Sequence, residues 1–173
     1  MELCDLSAFE LADLIRKGEV SAVEALESAL TRIEQVEGRS GSLDAGEITP
    51  EDEKKVHAFI TQTEDLARQQ AEAVDKQLAE GVIPGPLAGV PYTAKDIFNV
   101  KGTLSTAGSK ILSNFKSPYT ATPIARMEKA GAVMLGKVNL DEFTHGSSSE
   151  SSAFQPAPRN PWDTSTVPGG SSG

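Results

Sequence analysis

The sequence predicts an α/β fold, a mixed β-sheet flanked by helices, and three features carry that reading. Helix-start signals recur across residues 1–82, each ahead of apolar residues at helical spacing. An uncharged run, Leu87–Ala94, ends abruptly in Lys95-Asp96. A helical stretch from Thr122 is joined by Gly131 to the apolar run Ala132–Val138. A helix passing into a buried strand through one glycine points to layered packing with some parallel pairing.

The elements follow in order. Ser7-Ala8-Phe9-Glu10 has the form of a capping box, in which a serine oxygen accepts an early helix N–H and a glutamate reaches back. Leu11, Leu14 and Ile15 then share a face, and Gly18 is a natural stop. Ser21 to Glu24 repeats the pattern ahead of Val23, Leu26, Leu30 and Ile33, with Gly38 at the end. Residues 39–55 are polar and rich in turn formers, a surface loop with room for one helical turn at Thr49-Pro50-Glu51. Val56–Ile60 reads as a short strand, which makes His57 a structural side chain on a strand face. Thr61 and Glu64 suggest a third capping box, opening a helix that carries Leu66, Val74 and Leu78 and stops at Gly81.

Beyond Ile83 the texture changes. Pro84-Gly85-Pro86 is a rigid turn. Thr122-Pro123 has the layout of an N-cap followed by proline at the first helical position, with Ile124, Met127 and Ala130 on one face. From Thr144 the chain is rich in glycine and serine, but Phe154 and Pro161-Trp162 interrupt it as anchors, unlike a linker. The organisation is a helical region over 1–82 and the first part of an α/β core over 83–173.

Composition narrows the function. The chain has 173 residues, 38% of them hydrophobic, enough for a domain with a core. Its 16 Lys and Arg against 25 Asp and Glu give a net charge of -9, which disfavours direct binding of nucleic acid. The single cysteine, Cys4, admits no internal disulfide and fits a reducing cytoplasm. No stretch has the length of a signal-peptide core or of a membrane span.

Few residues offer chemistry. Lys95 ends a long uncharged run, where a desolvated lysine could act as a base. Gly169-Gly170-Ser171-Ser172-Gly173 lets the backbone approach a substrate closely, and a serine there could relay a proton. It is no phosphate loop, because no lysine follows the glycines. His145, beside Gly146, could serve as a base, without metal-ligand partners at the usual spacing.

Together, G-V-P-Y-T-A-K-D at 89–96, G-K-V-N-L-D-E-F at 136–143, G-S-S-S-E at 146–150, R-N-P-W-D at 159–163 and V-P-G-G-S-S-G at 167–173 resemble the amidase signature family in order and spacing. The resemblance runs from about residue 5 to the end and is weakest over 39–55, which looks like an insertion. It implies a Ser–Ser–Lys triad, with Lys95 as the lysine and Ser171 as the bridging serine on a cis peptide. The acyl-ester nucleophile would lie beyond residue 173, so the chain is expected to be a fragment, inactive and marginally folded by itself. Gly146 and Ser147 would line the acyl pocket. Such a base must be neutral, and a lysine in water is almost fully charged at neutral pH, so the triad demands a dry site.

Within the family, D-E-F followed by G-S-S-x-E and S-A-F most resembles the glutaminase subunits of amidotransferases that convert Glu-tRNA(Gln) to Gln-tRNA(Gln). That branch implies glutamine as substrate, partner subunits in a heterotrimer, tRNA reached through them, and ATP and magnesium used by a partner. No cofactor or metal is expected in this chain. A free-standing amidase for small or fatty amides and a non-catalytic scaffold are the competing expectations.

Overall fold

The structure is a computed structural model and describes residues 2–172. Its elements follow in the order α1 (Ala8–Arg16), α2 (Ala22–Val36), β1 (Phe59–Gln62), α3 (Glu64–Ala79), β2 (Pro91–Lys95), α4 (Thr122–Lys129) and β3 (Val133–Val138). Short 3-10 turns lie at Leu3–Asp5, Asp52–Lys54, Lys110–Leu112 and Glu142–Thr144. The strands form one sheet in the order β1-β3-β2. β1 is antiparallel to β3, with Thr61 opposite Lys137 and Gln62 opposite Gly136. The amide of Val133 donates to the carbonyl of Val90, and that of Asp96 to the carbonyl of Val138. β2 and β3 therefore run the same way, and the sheet is mixed, as the sequence predicts.

The chain divides into two compact units. One comprises Met1–Gln35, Thr63–Thr93 and Thr122–Leu135; the other comprises Val36–Gln62, Ala94–Ala121 and Gly136–Gly173.

In the first unit both expected helix starts form. The Ser7 hydroxyl accepts from the Glu10 amide at 3.3 Å, and the Glu10 carboxylate accepts from the Ser7 amide at 3.0 Å. Ser21 and Glu24 do the same at 3.0 and 2.8 Å. The Asp75 carboxylate also accepts from the amides of Ala22 and Val23 at 2.6 and 3.1 Å, so α2 begins against an anion from α3. Leu11, Ala12 and Ile15 of α1, Ala22, Ala25 and Leu26 of α2, and Ala67, Ala71 and Val74 of α3 are buried. Gly89 sits at φ +68, and a Cβ there would lie 2.7 Å from both Ala22 Cβ and Ile15 Cδ1. That close approach leaves room only for glycine.

The cap of α3 differs from expectation. Thr63 is the N-cap, and its hydroxyl donates to the carbonyl of Met134 at 3.0 Å. Thr61 lies inside β1. Ladder pairing with β3 takes the residue that the local pattern would spend on a cap. α4 begins at Thr122 itself, one residue before its expected start, an ordinary ambiguity at helix ends.

In the second unit β1 begins at Phe59, not at Val56. His57 adopts φ 55, which no strand allows, and its ring is fully buried. Its Nδ1 lies 2.9 Å from the Arg39 carbonyl and its Nε2 lies 2.8 Å from that of Asp52. The segment 39–55 is thereby more than a surface loop. Arg39 grips both oxygens of Asp52 at 2.9 and 3.0 Å, and the Thr49 amide donates to the same carboxylate at 2.8 Å. The guanidinium holds the Asp52 carboxyl well below the usual carboxylate range. Ile60, Leu140 and Phe154 form an apolar cluster here, with Ala153 packed against it. Among the described residues, no helix is long and apolar enough to cross a membrane.

Candidate active site

Lys95 is the last residue of β2, and strand alternation separates its fate from that of its neighbours. Ala94 and Asp96 are buried, while Lys95 is half-buried. Its Nζ donates to the Ser171 hydroxyl at 2.7 Å. The sequence separates these two side chains widely, and the second unit brings them together. The peptide between Gly170 and Ser171 is cis. The Ser171 carbonyl accepts from the Asp141 amide at 3.1 Å, and Ser172 bridges to Leu140 in antiparallel fashion. The glycine–serine segment is thus laid along the chain just after β3.

Asp141 is where the remaining pieces meet. It is 1% exposed. One oxygen accepts from the Ser149 amide at 3.0 Å, and the other from the Ser151 amide and hydroxyl at 3.3 and 2.8 Å. Burial pushes its carboxyl up, but these bonds from Ser151 and Ser149, with the Ser148 amide, outweigh it and hold it below its ordinary value. Two glycines press against the same carboxylate. A Cβ on Gly146 would overlap it, and a Cβ on Gly170 would overlap both its Oδ2 and the backbone of Ser147. Gly146 and Ser147, expected at an acyl pocket, therefore lie against Asp141 and the glycine that precedes Ser171. The Ser149 hydroxyl closes the arrangement with a 2.8 Å bond to the Gly169 carbonyl.

A second buried charge cluster escapes sequence reasoning. Lys137 and Asp96 are both wholly buried, and Lys137 Nζ lies 2.6 Å from Asp96 Oδ1. The ammonium also donates to the Leu104 carbonyl at 3.0 Å and to Ser105 Oγ at 3.2 Å. The other Asp96 oxygen accepts from the Thr106 amide and hydroxyl at 2.8 and 2.5 Å. Burial pulls the Lys137 amine below its ordinary value, while Asp96 opposes that pull. The available signal was opposite charges in two apolar runs, Asp96 closing one and Lys137 inside the other. His145 is exposed. Among the described residues, no group of three or more His, Cys, Asp or Glu side chains is placed to hold a metal.

What this arrangement can do is move a proton between an amine and a hydroxyl. Known proteins resemble the chain along its whole length. Residues 50–173 match the family described as Amidase. The chain is 50% identical over 172 residues to the A subunit of glutamyl-tRNA(Gln) amidotransferase from Thermobifida fusca (strain YX), covering 99% of this chain and 31% of that protein. It is 46% identical over 173 residues to the protein of the same name from Moorella thermoacetica, covering 100% of this chain and 32% of the relative. Among solved structures, native peptide amidase from Stenotrophomonas maltophilia superposes with a TM-score of 0.77 at 31% identity, over 97% of this chain and 32% of that one. The chain thus spans about a third of the length of the relatives it matches. On motifs, fold and a match across most of its length, the chain belongs to the amidase family.

Proposed function

We propose that this chain supplies the lysine and the bridging serine of a Ser–Ser–Lys amidohydrolase, in the glutaminase component of a tRNA-dependent amidotransferase. The observation that carries the reading is the 2.7 Å contact between Lys95 Nζ and Ser171 Oγ. The relatives named as amidotransferase subunits, at 46 and 50% identity, support the narrower assignment.

The proposed chemistry is a proton relay. An unprotonated Lys95 takes the proton of Ser171 as Ser171 takes that of the nucleophilic serine, proposed to lie outside these 173 residues. That serine adds to the side-chain carbonyl of glutamine. The relay runs backwards to protonate the departing nitrogen, and ammonia leaves. Water then hydrolyses the acyl ester to glutamate and frees the serine. Gly146 and Ser147 line the acyl side of the pocket. Ammonia passes to a partner that activates Glu-tRNA(Gln) with ATP and magnesium. The net charge of -9 on this segment supports a reading in which the partners, and not this chain, contact tRNA.

The test is ammonia release from glutamine by the full-length chain with its partner subunits. Release that depends on Lys95 and Ser171 is the expected result. A second reading, a free-standing amidase, is favoured by the likeness to peptide amidase. Hydrolysis of unrelated amides by the full-length chain alone, with none of glutamine, would select it.

A further inference from the structure

The relay assigned above needs its bridging hydroxyl held in place, and nothing in Ser171 itself does that. The two glycines before it leave its backbone free to turn. Resting on the Ser–Ser–Lys reading, we infer that Asp141 is the positioning residue for Ser171, acting through both its amide and its carboxylate.

Its amide donates to the Ser171 carbonyl at 3.1 Å. Its carboxylate, 1% exposed, gathers the amides of Ser149 and Ser151 and the Ser151 hydroxyl. The loop so gathered returns a hydroxyl, from Ser149, to the Gly169 carbonyl at 2.8 Å. Gly170 is packed so closely on the Asp141 carboxylate and the Ser147 backbone that no side chain fits between. The two residues before Ser171 are therefore pinned through the carboxylate, and Ser171 itself through the amide. A buried anion that only accepts bonds suits this task, because its hydrogen-bonding neighbours here are all donors.

Asn is nearly isosteric but turns one acceptor into an NH2 group facing N–H donors. A misplacement of about 1 Å at a reacting group costs on the order of 100-fold in rate. The experiment measures kcat for ammonia release, from glutamine and in parallel from a small primary amide, in the full-length protein with its partners. It compares wild type, Asp141→Asn, Ser171→Ala and the double variant. Asp141→Asn is expected to lower kcat about 100-fold with a smaller change in KM. In the Ser171→Ala background the same change is expected to add little, because the two act as a unit. If Asp141→Asn should not fold, Ser149→Ala reads the same linkage and is expected to lower kcat about tenfold. Equal factors with and without Ser171 would make Asp141 a structural residue only and overturn the inference, leaving the relay intact. A normal rate in Ser171→Ala would overturn the relay and this inference with it.

Discussion

Lys137 and Asp96 show what one buried charge commits its neighbours to. Both are wholly buried, and each is met by the other and by residues 104–106. Removing one partner strands the other in a dry interior, which costs about 3–5 kcal/mol, whereas replacing both with apolar residues of similar size costs far less. Lys137→Met is therefore expected to lower unfolding stability in urea sharply, and Lys137→Met with Asp96→Leu to recover most of the loss. Equal losses in the single and double variants would show that the pair is not coupled.

Tyr92, on β2 ahead of Lys95, presents a buried hydroxyl with no hydrogen-bond partner among the described residues. Burial, with the charge of Glu128 adding to it, pushes its phenol up to about 12. An unfolded tyrosine ionises near about 10. Between those values the folded state holds a proton that the unfolded state has lost, so this contribution to stability is complete below about 10 and falls as pH rises toward 12. Tyrosinate absorbance in the folded protein is expected to show a step near pH 12 that Tyr92→Phe abolishes. A step near about 10 from Tyr92, the ordinary phenol value, would contradict the burial of its hydroxyl.

At the scale of elements, the sequence was legible where a signal is local. The reciprocal bonds of Ser7 with Glu10 and of Ser21 with Glu24 need only residues three apart, and both form. Thr61 misled because its partner in the sheet, Lys137, lies far along the chain. His57 misled because alternation with apolar neighbours mimics a strand while its φ of 55 does not. The Asp75 contact to α2 was illegible for the same reason as Thr61. It satisfies two amides that the helix cannot satisfy itself. Ser21→Ala is expected to cost about 1 kcal/mol, as caps do. Asp75→Ala is expected to lower the melting temperature more than Ser21→Ala, since it also removes a favourable charge at the helix start. The reverse order, by calorimetry, would make Asp75 incidental.

At the scale of the molecule, the candidate site is built from segments far apart in sequence: the end of β2, the chain just after β3, the glycine–serine loop at 146–151 and the segment 169–172. Lys95 and Ser171 were legible through the motifs that surround them. Asp141 was not, because D-E-F reads as a fragment of a motif until the loop at 146–151 is seen folded onto its carboxylate. The mixed sheet was legible because helix, glycine and buried strand follow one another within 122–138.

Whether the amine at position 95 moves the proton is tested most directly by one measurement: kcat for amide hydrolysis by full-length Lys95→Met, in protein shown by its melting curve to be folded. With Lys95 as the base, the rate is expected to fall by at least about 100-fold. A folded variant turning over within about threefold of wild type would contradict it and place the base elsewhere.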